Sequence, residues 1–329
     1  MAAILLDLKP GDEVIVPSYT FTSTVNAFVL RGVTPIFCDV RPDTLNIDEA
    51  QVESLITPKT RVIVPVHYAG IACEMDRLCE LAQKYGVALV EDNAQGIFGK
   101  YKGKYLGTFG DFSALSFHET KNINCGEGGA LFINRPKFNE RAEIIREKGT
   151  NRSQFFRGQV DKYGWVDLGS SFLPSDMLAA YLWAQLEVWP SILQTRKKIW
   201  ENYYSHLSSW THSCGVMLPT VPEGIEQAYH MFYLILPDLK TRTQLIEFLK
   251  QRNIISVFHY QALHASPMGM KLGGRLGQCP ISEQMSDRVL RLPFHNALSE
   301  LEVEHIACSL EEFFFAKSSK RFASHEITN

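Results

Sequence analysis

From residue 12 onward, short apolar runs alternate with longer stretches in which apolar residues recur every three or four positions. The runs at residues 13–16, 34–38, 61–66, 87–91, 112–117 and 130–133 read as buried strands. The periodic stretches at 19–31, 48–56, 75–85 and 137–148 read as helices. Residues 1–11, closed by Pro10 and Gly11, read as the last turns of a further helix. Such alternation predicts an α/β fold: a mostly parallel sheet with helices on both faces. Right-handed crossovers then gather the carboxyl ends of the strands on one edge.

The character shifts near Trp189-Pro190. An apolar helix at 177–188 precedes the shift, and a charged amphipathic helix at 196–210 follows it. Strands are expected at 231–236, 256–260 and 288–293, helices at 242–252 and 300–315, and an irregular segment at 261–280. This layout suggests a large domain over 1–188 and a smaller αβ domain over 189–329, with 317–329 as a frayed polar tail.

Composition narrows the class. The 329 residues suffice for a full core. Lys and Arg total 33 against 36 Asp and Glu, a net charge of −3, which gives no pull toward nucleic acid or anionic membrane. Seven scattered cysteines without a Cys-x-x-Cys pair favour a reduced, cytoplasmic protein over a disulfide framework or a metal site. No apolar run approaches the ~20 residues that span a bilayer, and residues 1–8 do not read as a signal peptide.

The candidate chemistry lies at strand ends. Lys121 follows the 112–117 run and precedes Gly126-Glu127-Gly128-Gly129. It is either a solvated loop lysine or an amine nucleophile that condenses with an aldehyde. The second use needs an electron sink, a carboxylate to keep the sink's ring nitrogen protonated, and a phosphate site. Asp92, ending the 87–91 run, is a candidate carboxylate, since open α/β sheets bind ligands at strand carboxyl ends. Its alternative is a helix cap. Phe21 has a core alternative and Ser116 that of a small strand residue.

Taken together, Glu91-Asp92-Asn93-Ala94-Gln95, Ser116-Phe117-His118 with Lys121-Asn122, and Gly126-Glu127-Gly128-Gly129 resemble the DegT/DnrJ/EryC1/StrS family of pyridoxal-phosphate-dependent nucleotide-sugar aminotransferases. The resemblance covers nearly the whole chain. It is strongest toward the transaminases of dTDP-4-keto-6-deoxyglucose that serve enterobacterial surface polysaccharides such as enterobacterial common antigen. Pro17-Ser18-Tyr19-Thr20-Phe21, Pro65 to Gly70 and Arg146 to Arg157 fit that match. The resemblance implies fold type I, pyridoxal 5'-phosphate held by Lys121, and Asp92 on the pyridine nitrogen. It implies Phe21 stacked on the ring, Gln95 on the phenolic oxygen, and Ser116 at the phosphate. Ser171 would reach the partner subunit's phosphate in a homodimer whose active sites lie at the interface. Tyr260, His264, Arg152 and Arg157 would meet the nucleotide sugar, and glutamate would donate nitrogen. Asn93 departs from the family's usual Ala, and Ser171 from its usual Asn. Relatives carry an additional N-terminal section that opens the first helix and contributes backbone N–H groups to the phosphate. The expected alternatives are therefore a truncated, non-catalytic or regulatory homologue that binds cofactor weakly, a dehydratase of the same fold, and a Rossmann protein. The dehydratases replace the lysine by histidine, which Lys121 disfavours. The absence of Gly-x-Gly-x-x-Gly after the first strand disfavours the Rossmann reading.

Overall fold

The computed structural model describes residues 1–323. Strands β1 (Glu13–Pro17), β2 (Thr34–Cys38), β3 (Thr60–Ile63) and β4 (Ala88–Asp92) come first. Two short strands follow, β5 (Lys100–Tyr101) and β6 (Lys104–Tyr105), then β7 (Phe112–Ser116) and β8 (Gly129–Ile133). Later come β9 (Ile225–Glu226), β10 (Tyr233–Ile235), β11 (Val257–Phe258) and β12 (Val289–Arg291). Among the described residues the large sheet has the order β2-β1-β3-β4-β7-β8, parallel throughout except for the β7–β8 pair.

Both faces of this sheet are covered, which is why its strands read as continuous apolar runs. Successive side chains point to opposite faces. Val14, Val16, Val62 and Val90 join one core cluster, whereas Ile15, Ile63 and Leu89 join another. Helix boundaries follow local chemistry. Asp48 caps Glu49–Leu55 through the Ala50 N–H, and Gly86, in the left-handed region at φ 64°, closes Met75–Tyr85.

A third cluster is built only from residues 199–313 and packs the helices Trp189–Leu207, Leu239–Lys250 and Glu300–Ala323 around the β10-β12-β11 sheet. The chain between β11 and β12 also returns to the large sheet. Leu263 and Cys279 join its face cluster. Asp39, just beyond β2, accepts the N–H groups of Ile281 and Ser282 and the Ser282 hydroxyl. A buried carboxylate thus pins the start of helix Pro280–Arg288 and, with it, the segment carrying Tyr260.

Several boundaries differ from expectation. The helix expected at 19–31 spans Thr22–Val29, because Phe21 is extended (φ −77°, ψ 150°) and stands at its N-cap. The helix expected at 196–210 spans Trp189–Leu207, with Pro190 in its first turn, where its missing N–H costs nothing. The irregular segment expected at 261–280 holds a short helix, Pro267–Lys271, and a further short helix spans Arg152–Phe156. The tail expected at 317–329 is helical as far as Ala323, and its last six positions lie outside the described residues.

Candidate active site

Asp92 ends β4 on the carboxyl edge of the large sheet. One carboxylate oxygen accepts the Thr24 hydroxyl at 2.6 Å, and the other accepts the Ala94 N–H at 3.1 Å. No helix starts after it, so Asp92 is not a helix cap. It borders a cavity of about 870 Å3 together with Thr24, Ala94 and Ser116. Asn93 is buried and faces the turns at Gly96 and Gly107.

The neighbouring Glu91 is fully buried and anchors what lies behind the site. Its carboxylate accepts the N–H groups of Gly107, Phe109 and Gly110 and the Nε2 proton of His67 at 3.1 Å. The Cys73 N–H donates to His67 Nδ1, which leaves the proton on Nε2. Gly110 allows this wrap, since a Cβ there would stand 2.4 Å from the Leu89 carbonyl oxygen. Burial alone pushes the Glu91 carboxyl up, but its hydrogen bonds from His67, Gly110 and Gly107 hold it below the ordinary value. A depressed carboxyl contributes stability above its unfolded value, near ~4.3, that is lost as pH falls through the folded value. Glu91→Gln is therefore expected to cost ~2–4 kcal/mol at pH 7 and to flatten the acid limb of the stability curve. A urea midpoint equal to that of the wild type at pH 7 would contradict this.

Lys121 sits in the turn after β7, where its N–H donates to the His118 carbonyl. Its ammonium makes no hydrogen bond or ion pair among the described residues. Burial lowers its pKa, the Asp92 carboxylate opposes that, and the Arg291 guanidinium adds to it. Lys121 and Asp92 are thus within electrostatic reach although 29 positions apart in sequence. They do not border the same cavity. Asp92 borders the larger one, and Lys121 a second of about 480 Å3.

Gln95 is held at both ends: Oε1 accepts the Ala69 N–H at 2.7 Å, and Nε2 donates to the Tyr260 hydroxyl at 3.1 Å. Tyr260 packs 6.0 Å from the rings of Tyr19 and Phe21. Phe21 is 56% exposed, so the structure does not use it as a core residue. Ser116 is half-buried and accepts the His118 N–H at 3.3 Å.

Other expected site residues lie elsewhere. His264 is fully buried, with Nδ1 on the Ser18 hydroxyl and Nε2 on Glu283 at 2.8 Å. Both ring nitrogens are occupied, and the side chain is shut off from solvent. Arg157 is paired with Glu143 at 2.7 Å, Arg152 lies over the Phe156 ring, and neither borders the two cavities. Ser171 is exposed in a loop bridged to Glu147, although its neighbours Phe172 to Pro174 border the larger cavity. Sequence reasoning missed Thr24 and Arg291. An arginine inside the short apolar run 289–292 was the available signal for the latter.

Known proteins share this fold. The spore coat polysaccharide biosynthesis protein SpsC of Bacillus subtilis is 30% identical over 93% of this chain and 81% of its own length. The aminotransferase TlmJ of Streptoalloteichus hindustanus superposes with a TM-score of 0.87 at 30% identity, covering 96% of this chain and 83% of that one. The PLP form of the sugar aminotransferase Spr1654 from Streptococcus pneumoniae gives 0.86 at 28% identity, covering 97% and 84%. With a model of the family matching residues 1–311, the chain belongs to the DegT/DnrJ/EryC1/StrS aminotransferase family.

Proposed function

We propose that this enzyme uses pyridoxal phosphate to move an amino group from glutamate to the 4-keto carbon of a nucleotide-linked 6-deoxy sugar, dTDP-4-keto-6-deoxyglucose, for surface-polysaccharide synthesis. The observation that carries the reading is the desolvated, unpaired ammonium of Lys121 within electrostatic reach of Asp92 at the carboxyl edge of the sheet. These groups fit the cofactor's chemistry: an amine for its aldehyde carbon and a carboxylate for its ring nitrogen. The bound cofactor supplies an electron sink for the charge left when a proton leaves the donor's Cα.

The chain's own residues do the rest. Lys121 would hold the cofactor through its aldehyde carbon, and its free amine would carry the proton at the donor's Cα. Burial favours that free amine, since it disfavours the ammonium. Asp92, steadied by Thr24, would hold a proton at the pyridine nitrogen. Gln95 has an amide N–H beyond the one given to Tyr260, and it would hold the ring hydroxyl. Phe21 would pack against the ring, and Ser116 would hold the phosphate.

We further propose a homodimer, in which Ser171 of the partner subunit completes the phosphate site. The exposed helix Asp176–Glu187 supports this. Met177, Tyr181 and Trp183 are 84%, 59% and 65% exposed, and Trp165 and Phe172 are exposed as well. Large apolar side chains left exposed along one helix are what an interaction face presents.

The test is spectroscopic. The protein with added pyridoxal phosphate is expected to show a visible absorption band that L-glutamate bleaches and the keto sugar restores, and to sediment at about twice 37.3 kDa. A chain that stays colourless is the non-catalytic homologue instead.

A further inference from the structure

Two arginines border the cavity that holds Lys121, and they differ in kind. Arg196 is buried and saturated. It donates Nε to the Tyr229 carbonyl, Nη2 to the His230 carbonyl and Nη1 to Asn296 Oδ1, and burial lowers its pKa to about 10. It is part of the wall.

Arg291 is open. It ends β12, the central strand of the small sheet, opposite Tyr233 on one neighbour and Val257 on the other. Its guanidinium makes no hydrogen bond or ion pair among the described residues, and its Nε is shut off from solvent without an acceptor. A guanidinium stays charged and presents a fork of N–H donors that fits a carboxylate. A buried donor without an acceptor calls for an explanation, and a missing ligand is one.

The surroundings favour an anion. Arg291 acts on Lys121, His259 and Tyr260, so its charge is felt on several sides of the site. Among the residues bordering the cavity, Glu119 is the sole carboxylate, and it does not pair with Arg291. His230 and His259 are kept neutral, mainly by burial, and so neither repel nor replace the guanidinium.

We propose that Arg291 receives the carboxylate of the amino-acid donor in the cavity it shares with Lys121. The proposal rests on the reading of Lys121 as the cofactor-binding amine. In an α-amino acid the carboxylate and the amine share one carbon, so an anion site for the donor must stand beside the reacting amine. A nucleotide sugar carries its charge on a diphosphate at the anomeric carbon, a sugar ring away from the keto group. The cofactor's phosphate belongs with Ser116 at the other cavity. Arg291 thus serves the half-reaction with the amino acid and leaves the one with the keto sugar unassisted.

The test uses the full chain, loaded and cofactor-free. In Arg291→Met the KM for L-glutamate is expected to rise about 100-fold, ~2.7 kcal/mol at 1.36 kcal/mol per decade, while the KM for the nucleotide sugar and the affinity for pyridoxal phosphate stay unchanged. In cofactor-free protein, 2-oxoglutarate is expected to raise the melting temperature of the wild type and not of Arg291→Met. An unchanged glutamate KM overturns the proposal. So does a rise confined to the sugar nucleotide or to pyridoxal phosphate, since the guanidinium would then be reading a phosphate. If Arg291→Met does not fold, Arg291→Lys, which keeps the charge and loses the fork, is read the same way. Failure of the functional reading would appear separately, as a wild type that neither binds pyridoxal phosphate nor aminates the sugar. The 2-oxoglutarate arm then decides alone, and a wild type that it does not stabilise overturns the anion site.

Discussion

Lys121→Ala is expected to lose the visible band formed with pyridoxal phosphate and to lower turnover by about four orders of magnitude or more, as happens when a covalent nucleophile is removed. Stability should change little. The ammonium has no hydrogen bond or ion pair to lose, and removing a half-buried charge also removes its desolvation cost. This combination separates the two readings of the residue. A solvated loop lysine replaced by alanine would leave activity intact. Wild-type turnover in Lys121→Ala would end the assignment. Free amines added to the variant offer a second readout, because they supply a proton acceptor without restoring the covalent link.

Asp92→Asn is expected to lower kcat by about 100- to 1,000-fold, the range seen when one preorganised electrostatic partner of a developing charge is neutralised. The fold should survive, because an amide oxygen still accepts one of the two hydrogen bonds from Thr24 and Ala94. A pH signature accompanies the loss. Asp92 raises the Lys121 pKa against the lowering by burial and by Arg291. Without the carboxylate the lysine deprotonates at lower pH, so in cofactor-free protein its titration moves in the acid direction. A variant with unchanged kcat would show that Asp92 is only a packing residue.

The two principal candidates were legible because their signals are local. An acid at the end of an apolar run and a lysine after another mark the carboxyl edge of a sheet, and the strand order brings β4 and β7 together as neighbours. Gln95, three positions beyond Asp92, travels with it. The partners of His264 were hidden for the converse reason. Its chain position near Tyr260 suggested the sugar site, but its ring is turned toward Ser18 and Glu283. Arg291 stayed hidden inside a run read only for its hydrophobicity. The pairs β5–β6 and β5–β9 are two residues long, too short for periodicity to register.

The order of the longer strands and helices, the two covered faces of the large sheet, and the edge on which chemistry gathers were written in the spacing of apolar residues, because burial at each position is a local demand of the backbone's own period. Which polar groups are satisfied is a different matter. Ser18 and His264 are 246 positions apart and Asp39 and Ser282 are 243, and only the folded chain brings such partners together. The same is true of the groups left over. That Arg196 is saturated while Arg291 and Lys121 are not follows from where distant carbonyls and carboxylates come to rest.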